Sequence, residues 1–197
     1  MAQVYRVAIA DDDRSVLHCL RHCLGKAGHE VVVEATSGED LIERCVEAAP
    51  ELIITDINMP GLDGLAAVQI IQERLETPVI VLSSHCTEQY TERANIPSVF
   101  SYLVKPIQVE SLLVAISLTV QRFKEMQSYR QEASTVRQAL KDRKIVERAK
   151  GLVMSRLAID EQTAFQHLRK LARDHRKALV DIANSILLTE QAMTIGG

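Results

Sequence analysis

The sequence has no tryptophan, five prolines, eight glycines and four cysteines in 197 residues. Its apolar runs are short and interrupted, so none reaches the roughly 20 residues that a membrane-spanning helix needs. The four cysteines (Cys19, Cys23, Cys45, Cys86) lack the spacing of a disulfide scaffold, which fits a reducing compartment. The N-terminus, MAQVYRVAIADDD, reaches its acids too soon for a secretory signal peptide. No internal repeat or low-complexity stretch is present. These absences lead to the expectation of a cytoplasmic protein with no membrane partner.

With 47% apolar and 25% charged residues, the composition supports a packed core. The length suits a domain of about 120 residues with a smaller appendage. The net charge of −3 hides an asymmetry. Residues 1–110 hold 8 Lys and Arg against 17 Asp and Glu, whereas residues 137–177 hold 12 against 5. An acidic front and a basic rear point to two modules with different partners, the basic one a candidate for nucleic acid.

Apolar strands alternate with helical patterns along the front. Strands are expected at Val4–Ala10, Glu30–Ala35, Leu52–Thr55, Pro78–Leu82 and Phe100–Val104, and helices over 14–27, 39–49, 65–75 and 87–94. This spacing calls for a doubly wound, five-stranded parallel sheet covered on both faces. After Pro106 the chain has no proline. Apolar or small residues then recur three and four apart at Val109, Leu112, Ile116, Thr119, Phe123 and Met126, with a second register at Tyr129, Ala133, Val136 and Leu140. That pattern predicts a long helix, over about 108–140, able to pair with a second copy of itself. The alternative is a last domain helix with a helical linker. Three further helices are expected at 145–157, 161–174 and 178–188, with Asp160 as an N-cap. Leu152, Leu157, Phe165, Leu168, Leu171, Leu179, Ile182 and Ile186 are their expected core.

In an open parallel sheet, chemistry collects at the carboxyl ends of the strands. Asp11 and Asp12 close the first strand, Asp56 the third, Ser83 and Ser84 the fourth and Lys105 the fifth. Clustered carboxylates are tolerable around a divalent cation, and hard oxygen ligands suit Mg²⁺. HCLRHC at 18–23 is a zinc look-alike. Its histidine and cysteine pairs point about 100° apart on a helix, and core cysteines with surface histidines is the preferred reading. His85 lies two residues beyond Ser83, either at the rim of the site or as a plain surface histidine.

Asp11-Asp12, DINMPGLDG around Asp56, VLSSH and YLVKP, in that order over residues 1–120, resemble the receiver domain of two-component response regulators. The resemblance implies a flavodoxin-like fold with Asp56 as phosphoacceptor and a sensor histidine kinase as partner. Asp11, Asp12, Asp56 and the backbone carbonyl of Asn58 would hold Mg²⁺, Ser83 and Lys105 would engage the phosphoryl group, and Tyr102 would be the aromatic switch. Ser84 stands where a smaller residue is usual, and Ile96-Pro97-Ser98 where an Ala-Gly pair is usual.

The basic rear holds Arg143, Lys144, Arg148, Lys150, Arg156, Arg169, Lys170, Arg173, Arg176 and Lys177. The bland account of such a run is a solvated helix face. ERAKGLVMSRLAIDEQTAFQHLRKLA followed by LVDIANSIL resembles the ANTAR domain, the three-helix RNA-binding output of transcription antiterminators, over about 137–190. Ala158 stands where that family generally has glycine. The resemblance implies a dimer that binds paired stem-loops in a nascent leader transcript and so prevents a terminator from forming; the spacing along the long helix makes that helix the expected seam of the homodimer. Arg148, Lys150, Arg156, Arg169, Lys170 and Arg173 are the candidate RNA contacts. The expected protein is a regulator and not an enzyme. A Mg²⁺-dependent phosphohydrolase and a DNA-binding response regulator are the rival readings.

Overall fold

The structure is a computed structural model that describes residues 3–84 and 97–195, the last five of these by backbone alone. The expected helix over 87–94, and with it His85, Cys86 and Ile96, lies outside the described residues.

The chain divides into two compact units, the first ending at Gln127 and the second beginning at Ser128. In the first, β1 (Arg6–Ala10), β2 (Glu30–Ala35), β3 (Leu52–Asp56), β4 (Val79–Ser83) and β5 (Val99–Val104) form one parallel sheet in the order β2-β1-β3-β4-β5. Alternate residues of each strand point to opposite faces. Val7 and Ile9 of β1, Leu52 and Ile54 of β3, and Ile80 and Leu82 of β4 face α1 (Arg14–Lys26) and the start of α4 (Val109–Leu157), meeting Leu20, Leu24, Leu112 and Ile116. Ala8, Ile53, Val79 and Val81 face α2 (Gly38–Ala48) and α3 (Gly64–Gln72), meeting Leu41, Val68 and Ile71. Because both faces are buried, these strands are unbroken apolar runs.

Local chemistry sets the helix starts. Asp13 caps α1 by accepting from the Ser15 amide at 2.8 Å, Ser37 caps α2 at the Asp40 amide, and Asp63 caps α3 at the Ala66 amide. The Cys19–Cys23 expectation needs correction. Cys23 is buried in the α1 core, but Cys19 is exposed, one helical step off the apolar stripe.

Helix α4 runs unbroken for 49 residues and absorbs the separate helix expected at 145–157. The two registers have different surroundings. Leu112, Ile116, Thr119 and Phe123 are buried in the first unit, with Phe123 edge-on to Phe100 and the Thr119 hydroxyl 2.8 Å from that of Ser101. Those four residues belong to the core of the first unit, whereas Val109 of the same register is exposed. Of the second, Tyr129 (70%), Val136 and Leu140 are exposed.

In the second unit, the end of α4 packs with α5 (Glu161–Asp174) and α6 (Leu179–Ile195) around Ala149, Val153, Ala164, Leu168, Ile182 and Ala183. Leu168 and Ile182 belong to the core as expected, but Leu157 and Phe165 are exposed. Asp160 caps α5 at the Thr163 amide, 2.9 Å away. Helix α4 closes on Ala158 at φ 51°, with the Ile159 amide donating back to the Met154 carbonyl. This left-handed closure favours glycine, and alanine there costs about 1 kcal/mol.

Candidate functional site

The crossovers bring the carboxyl ends of β1, β3, β4 and β5 to one edge of the sheet. Asp11, just past β1, is fully buried, and its amide donates to the Ala35 carbonyl at 3.2 Å. Asp12 is exposed beside it. Asp56 ends β3 and is also buried, pinned from behind as the Ile57 amide donates to the Leu82 carbonyl and the Gly64 amide to the Ile57 carbonyl. Ser83 ends β4, buried, and the Lys105 amide donates to its carbonyl at 2.9 Å.

Carboxylate oxygens of Asp11, Asp12 and Asp56 lie within 4.8 Å of one another. Lys105 Nζ is 2.5 Å from Asp11 Oδ2 and donates to Asp56 Oδ2 at 2.8 Å. One ammonium therefore bridges two buried acids. Burial holds the Asp11 carboxyl above the ordinary carboxylate value despite the hydrogen bonds and charge of Lys105 that pull it down. Burial also lowers the Lys105 ammonium, but the hydrogen bonds and charges of Asp11 and Asp56 outweigh it, and the net shift is upward. Asp56 Oδ1 is buried with no hydrogen-bond partner among the described residues. An orphaned carboxylate oxygen between two further acids is what a hard divalent cation would satisfy, so the residues present fit one.

Asn58 and Ser84 are exposed near this edge, and Asp13 is turned to its capping role. Tyr102 on β5 is 39% exposed, its phenol raised by partial burial. His18 and His22 are exposed, away from any metal-like grouping with the buried Cys23.

The raised Asp11 pKa has a testable sign. The folded state binds this proton more tightly than the unfolded chain, so Asp11 penalises the fold above its folded pKa, and the penalty fades as pH falls toward 3.8. Asp11→Asn removes the buried charge and leaves Asp56 to Lys105. Urea denaturation in chelator at pH 7 is expected to show the variant more stable than the parent. The gap should close on acidification. A variant less stable than the parent at pH 7 would refute this.

The candidate RNA contacts in the second unit fall into two groups. Arg148, Arg169, Lys170 and Arg173 are exposed, Arg169 with its guanidinium 5.9 Å from the centre of the Phe165 ring. Arg156 pairs with Glu190 at 2.5 Å but keeps 61% of its side chain accessible. Lys150 is buried, its ammonium 2.5 Å from Glu147 and 2.6 Å from Glu161, and these two hydrogen bonds raise its pKa. Glu147 is visible in sequence as an i−3 partner. Glu161 is not, because it comes from the next helix.

The family model for the response regulator receiver domain matches residues 7–117, and that for the ANTAR domain matches residues 134–187. The transcriptional regulatory protein PdtaR of Mycobacterium tuberculosis is 35% identical over 184 residues, covering 93% of this chain and 90% of that protein. This chain belongs to the response regulators. Its receiver and ANTAR domains make it a two-component regulator with an output of the RNA-binding antitermination type. The receiver fold is shared with Vibrio cholerae chemotaxis protein CheY4 (26% identity, TM-score 0.56, 59% of this chain and 99% of that one). It is also shared with the signal receiver domain of a diguanylate cyclase from Desulfovibrio desulfuricans G20 (25% identity, TM-score 0.59, 63% and 99%). Both matched families are regulatory domain types. No helix among the described residues is long and apolar enough to cross a membrane.

Proposed function

We propose that this response regulator accepts a phosphoryl group on Asp56 and, in that state, holds paired stem-loops of a nascent leader transcript so that a terminator hairpin cannot form. The domain limits we assign are receiver 1–120, helical linker 108–140 and RNA-binding module 137–190. The observation that carries the phosphoryl half is the Asp56 carboxylate, with one oxygen on Lys105 and the other buried without a partner among the described residues. An Asp56 oxygen attacks the phosphorus of a phosphohistidine on a sensor kinase. The P–N bond breaks with its electron pair left on the imidazole, and an acyl phosphate forms. Asp11, Asp12, Asp56 and the Asn58 carbonyl are the assigned ligands of Mg²⁺, which when bound supplies positive charge for the phosphoryl oxygens. Lys105 adds a point charge and Ser83 a hydroxyl donor to those oxygens, and their shift toward the phosphoryl group biases Tyr102.

The RNA half draws support from the exposed Arg148, Arg169, Lys170 and Arg173, which suit phosphate contact. Arg156 is accessible enough to join them, and Lys150 serves to fasten α5 to α4. The exposed Tyr129, Val136 and Leu140, seven and four residues apart, support a homodimer through α4. Pairing would set two RNA modules side by side and raise their effective concentration for tandem hairpins.

The test is crosslinking of the full chain to cellular RNA with sequencing of the captured fragments, and gel shifts on those fragments against duplex DNA at matched salt. Hairpin pairs ahead of terminators are expected. Affinity should fall steeply with salt, since each neutralised phosphate releases counterion. Equal or tighter binding to duplex DNA would favour the DNA-binding rival and overturn this reading.

A further inference from the structure

Phenylalanine is among the residues most often buried, and after Tyr129 this chain has no Phe, Tyr or Trp other than Phe165. Yet α5 meets the core through Ala164 and Leu168, and Phe165, one step round the helix, is 37% exposed. Arg169, four residues on, sets its guanidinium over the ring. The ring also forms one wall of an open recess of about 390 Å³, whose other lining residues are Glu147, Lys150, Glu161 and Gln162. Within a strongly cationic module, two carboxylates make this recess a poor seat for a phosphate. A flat apolar ring beside a cation, with carboxylate and amide groups at its edge, has the complementary chemistry of a nucleobase.

We infer that Phe165 and Arg169 form the stacking platform for one unpaired loop base of the bound RNA, and that Glu147, Glu161 and Gln162 read that base's edge. This rests on the RNA reading above and extends it from phosphate contact to base specificity. Each carboxylate has lone pairs beyond those engaged by Lys150 and accepts from an exocyclic amine. Adenine, cytosine and guanine carry such an amine, whereas uracil offers only its ring N–H and sets two carbonyl oxygens against the carboxylates. The platform therefore selects against uracil at one loop position. Exposed phosphate-binding arginines alone would impose no such choice, because backbone contacts carry no sequence information.

The test uses the full chain and a stem-loop RNA pool with a fixed stem and randomised loop. RNA retained by the parent protein is expected to be depleted of uracil about fivefold at one loop position. Phe165→Leu, which keeps an apolar side chain, should bind the pool about tenfold more weakly and lose that depletion. Its far-ultraviolet circular dichroism should match the parent's. Phe165→Trp should keep parental affinity and, being the only tryptophan in the chain, report directly: its emission is quenched by the pool but not by the same stem with an abasic loop. Equal affinity and equal loop preference for the parent and Phe165→Leu would overturn the platform while leaving RNA binding intact. Should Phe165→Leu fail to fold, unquenched Phe165→Trp bound to the pool overturns it equally. If the parent binds stem-loops no better than an unstructured strand, the RNA reading falls and the platform with it.

Discussion

Asp56→Asn is expected to reduce phosphoryl labelling of the chain to background when it is incubated with Mg²⁺ and acetyl phosphate, whereas the parent gains one acid-stable, base-labile phosphoryl group. The cause is local. The amide replaces the anionic oxygens, so the neutral side chain has no competent nucleophile for phosphorus. The substitution is nearly isosteric, and Asp11 still pairs with Lys105 at 2.5 Å, so the fold should survive. Intact-protein mass spectrometry gives the stoichiometry, and peptide mapping gives the position. One label per chain that decays without turnover of further donor separates an acceptor from the phosphohydrolase rival, which would hydrolyse small phosphate esters continuously. Labelling of Asp11 or Asp12 in the parent would refute the assignment.

The same variant tests the coupling to RNA. A modification shifts a two-state equilibrium only by its differential interaction with the two states. If phosphorylation drives pairing through α4, the phosphorylated parent should bind a two-hairpin RNA at least about tenfold more tightly than Asp56→Asn, and a single hairpin equally well. Equal affinity for both RNAs in both states would leave the binder and remove the switch.

The front half was legible because a doubly buried parallel sheet writes itself plainly. VAIA, LIIT and VIVL are apolar without alternation, and a polar residue follows each at the strand end where the crossovers converge. Asp11, Asp56, Ser83 and Lys105 are far apart in the chain, yet the strand order alone brings them to one edge. What the sequence concealed depends on contacts between elements. The continuity of α4 was signalled by the absence of proline beyond Pro106, but a run of exposed residues between two cores reads equally well as linker. The buried state of Lys150 depends on Glu161 across a turn, which no helical periodicity reveals. Phe165 was legible after all. It stands next to Ala164, and a helix whose core face is Ala164, Leu168 and Leu171 turns Phe165 outward, so helical phase and not hydrophobicity decides its exposure.

Gly64→Ala is expected to unfold or severely destabilise the receiver while leaving the second unit's helices formed. A Cβ at Gly64 would stand 1.9 Å from the Asp56 carbonyl oxygen and 2.8 Å from Thr55 Oγ1. Neither neighbour yields easily. Asp56 and Thr55 are the last residues of a central strand, and the Gly64 amide is itself tied to the Ile57 carbonyl at 2.9 Å. The clash therefore transmits to the backbone that carries the phosphoacceptor, and the cost should be about 3 kcal/mol or more. Gly151→Ala is the control, since a Cβ there meets nothing within 4 Å and the position is helical. It should be neutral or stabilise by about 0.5–1 kcal/mol. Urea unfolding of the two variants should separate them widely, and labelling at Asp56 should fall with the population of folded receiver in Gly64→Ala alone. A Gly64→Ala chain with the parent's midpoint would mean that α3 can withdraw from β3 at little cost, and that the sheet edge holding Asp56 is far softer than its hydrogen bonds imply.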